Sequence, residues 1–392
     1  MIELQYDPEI GIWCENEEGL EKLRKNFFGT EKESKIFLDI EEALYVLDLL
    51  NGKIIFNGEE LGFNELASKF PEKRLIIKYN SFRDWRDRGL VLKREEYKHR
   101  VGSEQANKKY PSKKLPLGKK KGKAFWYSSS MFSILEGEYL ARELFEDYWI
   151  GQLGVYKQER GSILKLDFME TVFLSKHFGL EVVDAETRKK TSSAKILNKI
   201  AKEWEYAKQM YEVYEDWRLQ GFVVKTGFKF GSHFRIYFPG ASPAKEGKWT
   251  HSRHVLHVFP KQQKLSIGEW ARAVRVAHSV KKTFVLGIPE MTKEDYVEYN
   301  ENYIAYRRKK EKGNLVRENP QDKPRFLLVP FAEDETIGGI ELASLLEKSK
   351  ELGVDLMLSI SDRESAITYY LLKKIVIPGS QFEYYEIEWE KP

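Results

Sequence analysis

The 392-residue sequence predicts an α+β fold in which repeated units are fused in one chain. Apolar and polar residues alternate around residues 223–236, as in strands, and apolar residues recur at helical spacing over 270–280. A composite motif also occurs twice, as DWR and GLVLK within residues 84–93 and as DWR and GFVVK within 216–225. This repeat indicates two copies of a small helical and strand-containing domain, the second of which continues into a mixed-sheet domain.

Composition sets the broad class of protein. The length suits two to four domains, and 42% hydrophobic with 14% aromatic residues indicates a globular chain. The single cysteine, Cys14, excludes an internal disulfide framework and fits a reducing compartment. The start MIELQYDPEI shows no signal-peptide pattern and no apolar stretch reaches membrane-spanning length, so we expect a cytoplasmic protein without membrane contact. The net charge of +4 does not by itself indicate a nucleic-acid binder.

The two copies of the N-terminal domain share a helix start. Asp39 and Asp167 stand where N-caps are expected. Glu42 and Glu170 follow three residues later, which predicts a capping box in each copy. In the second copy the helix is predicted to end at Gly179. The two helices are therefore expected to hold equivalent places.

The segments that follow the two copies differ. Residues 107–123 contain eight lysines and no acidic residue, broken by prolines and glycines. This composition is typical of a solvated linker, with contact to phosphates as the alternative. A second charged linker is predicted at residues 307–324. Beyond it, residues 331–360 align without a gap to residues 259–288, so the C-terminal part resembles the central sheet domain.

The central segment carries the most specific motifs. They are VVKTGFKFG at residues 223–231, a tyrosine after FRI (Tyr237), a His-Ser pair (His251), and RVAHSVKK ending at Lys282. This combination resembles the nuclease domain of archaeal tRNA-splicing endonucleases. The resemblance implies that Tyr237, His251 and Lys282 are the catalytic residues. Lys281, one position earlier, is the alternative lysine.

These residue types suit RNA cleavage without a metal or another cofactor. In that reaction a 2′-hydroxyl attacks the adjacent phosphate and the 5′-oxygen leaves. His251 is the natural acid for the leaving oxygen, because an imidazole titrates near neutral pH. Lys282 supplies a cation for the extra charge on the phosphorane. Tyr237 would be the base, and because a phenol has a pKa of about 10, it needs cationic neighbours such as the nearby arginines.

The register of the C-terminal copy predicts that it has lost this chemistry. Lys323 stands opposite His251 and Val354 opposite Lys282, and the strand pair that carries Tyr237 has no counterpart. The resemblance then implies the three-unit homodimeric type, which cuts precursor tRNA at bulge-helix-bulge junctions and leaves 2′,3′-cyclic phosphate and 5′-hydroxyl ends. The predicted division is an N-terminal non-catalytic unit (1–100), a lysine-rich linker (101–124), the N-terminal domain of the catalytic unit (125–220), the catalytic nuclease domain (221–306), a linker (307–324) and a C-terminal non-catalytic nuclease-like unit (325–392).

Basic residues outside this catalytic set are predicted to contact RNA. Arg275 matches one of two arginines with which the family grips a bulged nucleotide. Lys157 and Arg160 lie in a short insertion that only the catalytic copy contains, and a basic surface loop of this kind favours contact with the substrate. The resemblance also implies an acidic loop that docks on a partner chain, either residues 361–365 or residues 333–335.

Two other functions compete with this one. A metal-dependent nuclease would use His251, His254 and His257, but alternate residues of a strand face opposite sides, which separates His254 from the other two. A non-catalytic RNA-binding scaffold would bind through the basic surface alone. Against the scaffold, one unit holds all three catalytic residue types while its counterpart lacks them.

Overall fold

The computed structural model describes residues 1–96, 101–102, 107–155, 161–245, 248–289, 291–300 and 302–392. Among these residues, no helix is long and apolar enough to cross a membrane. The first domain comprises β1 (Glu3–Asp7), β2 (Gly11–Cys14), α1 (Glu17–Lys25), β3 (Thr30–Lys32), β4 (Lys35–Leu38), α2 (Ile40–Leu49), β5 (Lys53–Phe56), β6 (Glu59–Glu60), α3 (Phe63–Ser68) and α4 (Leu75–Asp87). Its sheet is ordered β3-β4-β2-β1-β5-β6, with β1 antiparallel to β2 and parallel to β5. Two short strands follow, β7 (Leu92–Arg94) and β8 (Lys108–Lys109).

The second domain has the same topology. It comprises β9 (Lys123–Tyr127), β10 (Phe132–Leu135), α5 (Glu138–Glu146), β11 (Gln152–Leu153), β12 (Leu164–Asp167), α6 (Phe168–Phe178), β13 (Glu181–Asp184), α7 (Ser193–Glu203) and α8 (Ala207–Leu219). Its sheet is ordered β11-β12-β10-β9-β13. Strand β9 is antiparallel to β10 and parallel to β13, as β1 is to β2 and β5.

Helices α2 and α6 begin with the predicted capping boxes. In α6 the carboxylate of Asp167 accepts a hydrogen bond from the backbone N–H of Glu170 at 2.7 Å. Glu170 in turn accepts one from the backbone N–H of Asp167 at 3.1 Å. Helix α6 ends at Gly179, whose φ of 68° lies in the left-handed region that glycine adopts without a steric penalty. The predicted boundaries of this helix are therefore confirmed.

Within the described ranges, the rest of the chain forms two halves, which together build one large mixed sheet and three separate two-stranded sheets. Its first half contributes β14 (Val223–Thr226), β15 (Phe234–Tyr237), β16 (Ala244–Lys245), β17 (Lys248–Trp249), β18 (His254–Val258), β19 (Lys264–Ser266), α9 (Ile267–Ser279) and β20 (Thr283–Gly287). Its second half contributes β21 (Tyr303–Ala305), β22 (Arg308–Glu311), β23 (Asn314–Arg317), β24 (Phe326–Ala332), β25 (Thr336–Gly338), α10 (Gly339–Glu351), β26 (Asp355–Ser361), β27 (Ile367–Val376) and β28 (Tyr384–Glu390). The 11-stranded sheet is ordered β14-β15-β18-β20-β28-β27-β26-β24-β21-β7, with β8 paired to β27. The predicted α+β class is confirmed.

Within each half of this sheet, equivalent strands pair in the same register. In the first half His254 of β18 lies opposite Thr283 of parallel β20, and in the second half Phe326 of β24 lies opposite Asp355 of parallel β26. One constant offset relates both pairs, and it is the offset of the gapless alignment made from the sequence. The positions of His251 and Lys282 therefore correspond to those of Lys323 and Val354, as that alignment predicts.

A counterpart of the strand pair that carries Tyr237 does exist, so the prediction that it is missing was wrong. Strands β7 and β21 form it, antiparallel, at the outer edge of the second half. The N–H of Tyr306, directly after β21, donates to the carbonyl of Val91 at 3.1 Å, while Tyr237 pairs with Val223 in the first half. Tyr306 thus occupies the place of Tyr237. The sequence did not reveal this pair because its strands lie more than 200 residues apart.

The two charged intervals predicted as linkers contain ordered contacts. Along the lysine-rich run, the N–H groups of Tyr110, Lys113 and Lys120 donate to the carbonyls of Val376, Gln220 and Phe178 at 2.8–2.9 Å. The interval 307–324 contains the hairpin β22–β23. Strand β21, which the predicted division placed with the catalytic domain, pairs with β24 of the second half.

A buried cluster joins the two halves beside the sheet. It contains Trp270 and Val274 from α9, Leu342 and Leu346 from α10, and Ile387 from β28, each with 2% or less of its surface exposed. Strands β19 and β25 also pair with each other, one from each half. The two halves consequently share one hydrophobic core.

The repeated DWR motif connects each N-terminal domain to the large sheet. Asp84 accepts a hydrogen bond from the hydroxyl of Tyr369 at 2.6 Å, and Asp216 accepts one from the hydroxyl of Tyr384 at 2.8 Å. The tryptophan of each motif is fully buried. The motif recurs because both domains dock on the sheet through the same contacts.

The lysine that ends each composite motif makes a buried ion pair. Lys93 lies 2.8 Å from Glu42, with side chains 3% and 2% exposed, and Lys225 lies 2.7 Å from Glu170. Each lysine also donates to a backbone carbonyl, of Gly29 at 2.9 Å and of Gly151 at 2.8 Å. The glutamates of the capping boxes thus also hold β7 and β14, the two strands at the outer edges of the large sheet.

Replacing Lys93 by methionine is expected to lower the free energy of unfolding by about 3 kcal/mol or more, because it leaves Glu42 charged and buried. Lys22 is the matched control, since its pair with Glu18 is 53% and 59% exposed. Lys22→Met should cost less than about 1 kcal/mol. Urea-induced unfolding measures both. Equal effects of the two substitutions would contradict a structural role for the buried pair.

Candidate active site

Three strands of the first half end or begin at one edge of the sheet. Strand β15 ends at Tyr237, β18 begins at His254 and β20 begins at Thr283. Strand β15 is antiparallel to β18, which is parallel to β20, and the register sets these three strand ends beside one another. The segments that carry Tyr237, His251 and Lys282 consequently meet at this edge.

Tyr237 is fixed by packing from the second domain. Only 5% of its surface is exposed, and its backbone pairs with Val223 at the start of β14. The centroid of its ring lies 4.6 Å from that of Trp149, which stands between α5 and β11. The position of the phenol therefore depends on how this domain docks on the sheet.

A cavity of about 640 Å³ at the same edge contains both Tyr237 and His251. Its lining is Lys108, Ile236, Tyr237, Phe238, Ala241, Thr250, His251, Arg253, His254, Lys281 and Thr283. Lys108, Arg253 and Lys281 bring positive charge, and the lining includes no carboxylate among the residues that the structure describes. Such a lining favours an anionic ligand.

Lys282 lies beside this cavity and is not part of its lining. Its Nζ donates to the carbonyl oxygen of Ser252 and, at 2.9 Å, to the hydroxyl of the same residue, which directly follows His251. The ammonium also lies 4.8 Å from the ring centroid of Phe230. Burial, and then the charge of Arg235, lower the pKa of Lys282. The structure thus brings Tyr237 and His251 to one cavity with Lys281, and holds Lys282 next to it.

His251 and His254, two of the three histidines of the metal-dependent alternative, line the same cavity, whereas His257 does not. The predicted separation of His254 from the other two was therefore wrong, because His251 precedes β18 and strand alternation does not apply to it. His251 is exposed, while His254 stacks on Phe238 with ring centroids 4.8 Å apart. His257 stacks on His233 at 4.2 Å, and neither of its ring nitrogens has a hydrogen-bond partner among the described residues. Within the described ranges, no group of three or more His, Cys, Asp or Glu side chains is placed to hold a metal ion.

None of the predicted RNA-contacting residues is in the described cavity lining, and two of them fall outside the described ranges. Arg275 is exposed on α9, and its Nη1 donates to the hydroxyl of Tyr370 at 3.4 Å. Lys157 and Arg160 fall in the interval 156–160, which lies outside the described residues. Their predicted contact with RNA stays a prediction.

Both acidic loops make contacts within the chain. The carboxylate of Asp362 accepts hydrogen bonds from the N–H groups of Glu364 and Ala366, at 2.9 and 2.8 Å. In the other loop, Glu335 forms an ion pair with Arg74 at 2.6 Å. Glu364 is exposed, which leaves the loop at 361–365 the more accessible of the two.

The cationic cavity at the edge of a mixed sheet defines a domain suited to an anionic ligand, and comparison with known proteins identifies its family. Residues 207–299 match the family described as tRNA intron endonuclease, catalytic C-terminal domain. A tRNA-splicing endonuclease from Methanopyrus kandleri is 34% identical over 168 residues, which is 42% of this chain and 87% of that protein. A tRNA-splicing endonuclease from Thermococcus kodakarensis is 35% identical over 32% of this chain and 69% of that protein. One from Pyrococcus furiosus is 34% identical over 34% of this chain and 72% of that protein. The chain is an endonuclease and belongs to the tRNA-splicing endonuclease family.

One basic residue of the cavity lining was not singled out from the sequence. Lys108 belongs to the lysine-rich run, whose composition is typical of a solvated linker, yet it lines the cavity with Tyr237 and His251. The excess of lysine over acid was the available signal, and it does not distinguish one lysine from the other seven. Arg253 is one of the arginines close to Tyr237 in the sequence, and the structure places it in the lining.

Burial lowers the pKa of three histidines near the site, to about 4 for His233 and His254 and to about 3 for His257. Below pH 6.5 the unfolded chain binds protons that the folded chain does not. The free energy of unfolding should therefore fall as the pH drops from 6.5 towards 4, by about 1.4 kcal/mol per pH unit for each histidine.

His257→Phe tests this linkage, because it keeps a ring against His233 and removes the titrating group. Urea unfolding at pH 8 measures the effect of the substitution on packing alone. Between pH 6 and 4.5 the variant should lose stability less steeply than the wild type, by about 1.4 kcal/mol per pH unit. An unchanged slope would contradict a His257 that is neutral in the folded chain.

Proposed function

We propose that this endonuclease cuts precursor tRNA at bulge-helix-bulge exon–intron junctions by a transesterification that needs no metal. The observation that carries this proposal is the cavity in which Tyr237 and His251 stand among cations and without a carboxylate in the described lining. Family membership supplies the substrate class, since the relatives are named tRNA-splicing endonucleases. The expected products are 2′,3′-cyclic phosphate and 5′-hydroxyl ends.

Each group has a distinct role in the proposed reaction. Tyr237 accepts the proton of the 2′-hydroxyl, whose oxygen forms a bond to the adjacent phosphorus. His251, which is exposed to solvent and can exchange protons, donates one to the 5′-oxygen as its bond to phosphorus breaks. Lys282 stabilises the added negative charge of the phosphorane.

Ionisation of Tyr237 is the most demanding requirement. A phenol with an ordinary pKa of about 10 is mostly protonated at neutral pH, so it needs nearby cations to act as a base. Arg253 and Lys281 line the same cavity as Tyr237, so their charges favour the phenolate.

Incubation of the wild type with a bulge-helix-bulge RNA in EDTA tests this mechanism. Cleavage should proceed and leave a 2′,3′-cyclic phosphate and a 5′-hydroxyl, which end-group analysis identifies. A 2′-deoxy substitution at the scissile nucleotide should abolish cleavage and leave binding nearly intact, because only the attacking group is removed. A strict requirement for magnesium, or a 5′-phosphate on the product, would overturn the proposal.

Lys282 and Lys281 are distinguished by substitution. We assign the catalytic ammonium to Lys282, because hydrogen bonds to Ser252 hold it next to His251. Lys282→Ala should lower the single-turnover rate about 10²-fold or more, whereas Lys281→Ala should have the smaller effect. The reverse order would transfer the role to Lys281, which lines the cavity.

We further propose that two chains act together, as a homodimer of the three-unit type. Each chain has one half with Tyr237 and His251 and one half with Lys323 in place of the histidine. A bulge-helix-bulge substrate has two cleavage points, and a two-fold axis would place one complete site at each. Light scattering at working concentration should give twice the mass of the chain. An active monomer would contradict this assembly.

The remaining predicted contacts belong to the same proposal. In the dimer, the loop at 361–365 would dock on a basic surface of the partner chain. Arg275, Lys157 and Arg160 would contact the RNA outside the cavity.

Cys14 is buried and forms no disulfide bond. A cytoplasmic location stays a prediction from composition.

A further inference from the structure

The lysine-rich run reaches the active-site cavity at one point, β8. This strand pairs with β27, so that Lys108 lies opposite Ile375 and Lys109 opposite Val376. Side chains of neighbouring strand residues point to opposite sides, and of the two lysines only Lys108 lines the cavity that contains Tyr237 and His251. The run therefore delivers one particular ammonium group to the site.

Lys108 is held there by a buried carboxylate. Its Nζ donates to Oε1 of Glu386 at 2.7 Å, and the Glu386 side chain is 3% exposed. The hydroxyl of Tyr110 donates to the same oxygen. The ring of Tyr110 packs on Phe238 and His254 of the cavity lining, at centroid distances of 5.1 and 5.2 Å. Lys108 of strand β8 thus forms part of one wall of the site, and Glu386 of β28, outside the lining, holds it in place.

The other side of Lys108 faces solvent and the cavity. Its side chain is 58% exposed, although its partner is buried. A lysine ammonium has three hydrogens, so hydrogens that are not donated to Glu386 can reach an anionic oxygen. Glu386, which lies outside the cavity lining, is the carboxylate that pairs with Lys108, and the described lining itself contains no carboxylate. A phosphate of the substrate is the ligand that this arrangement suits.

We propose that Lys108 binds a backbone phosphate of the RNA beside the scissile nucleotide, positioned by Glu386. The inference rests on the proposed function, because it requires RNA in this cavity. Lys108 of the lysine-rich run and Glu386 of β28 would then both contribute to the site that β15, β18 and β20 build. A purely structural role would instead confine Lys108 to pairing with Glu386.

Salt-dependent binding separates the two roles. The probe is a bulge-helix-bulge RNA with 2′-deoxy substitutions at both scissile nucleotides, bound by the full chain over a range of salt concentrations. Lys108→Gln should weaken binding several-fold and reduce the slope of log K against log salt by about 1, because one phosphate contact is lost. Lys108→Arg keeps the charge and should restore the wild-type slope.

Lys109→Gln is the matched control, since Lys109 is exposed on the same strand, is not in the cavity lining, and carries the same charge. It should leave the slope unchanged. Lys108→Gln leaves Glu386 buried without its cation, so the double variant Lys108→Gln/Glu386→Gln is measured as well. It removes both charges together and should show the same reduced slope with a more stable fold.

The outcomes are distinct. A wild-type slope in both the Lys108→Gln and the double variant would show that Lys108 is structural, whatever their melting temperatures. If Lys108→Gln and Lys109→Gln reduced the slope of log K against log salt equally, the effect would come from the general charge of the run. That result would also overturn the inference. Failure of the proposed function itself would appear separately, as absence of cleavage of the unmodified RNA by the wild type.

Discussion

The pairing of β20 with β28 is the constraint on which the rest of the structure depends. It joins the two halves of the large sheet and covers the edge of β20, whose backbone groups would otherwise lack partners. The ring of Tyr384 packs closely against Gly287, since a Cβ at that position would lie 2.8 Å from the ring. From the same strand Tyr384 bonds Asp216 of the second domain, and Glu386 bonds Lys108 at the cavity. One strand thus fixes the sheet, the domain that packs on Tyr237 and a wall of the site.

The second half of the sheet keeps the architecture of the first but lacks two of the three residues proposed to be catalytic. Its strands follow the same register, and Tyr306 even stands where Tyr237 does, but it is fully buried. Lys323 and Val354 replace the histidine and the lysine. The shared core and the β20–β28 junction require the packing positions of both halves, whereas the positions of the proposed catalytic residues carry no such structural demand. The proposed function therefore depends on a few side chains at one edge of the sheet.

The sequence predicted those features that local chemistry determines. The capping box at Asp167, the glycine that ends α6 and the α+β class follow from residues close in the chain, and the structure confirms them. The pairing of β7 with β21 could not be predicted, because a short strand shows no sign of a partner that distant. The place of Lys108 was equally hidden. A composition rich in lysine indicates solvation, and only the pairing of β8 with β27 selects one lysine for the cavity.

The role of His251 as the acid for the leaving group is the central chemical claim, and a modified substrate tests it most directly. If the 5′-oxygen at the scissile phosphate is replaced by sulfur, the leaving group no longer needs a proton. His251→Ala should lose about 10²-fold or more in rate on the normal RNA and recover nearly the wild-type rate on the sulfur-substituted RNA. Lys282→Ala should stay impaired on both. An equal loss for His251→Ala on the two substrates would contradict the account.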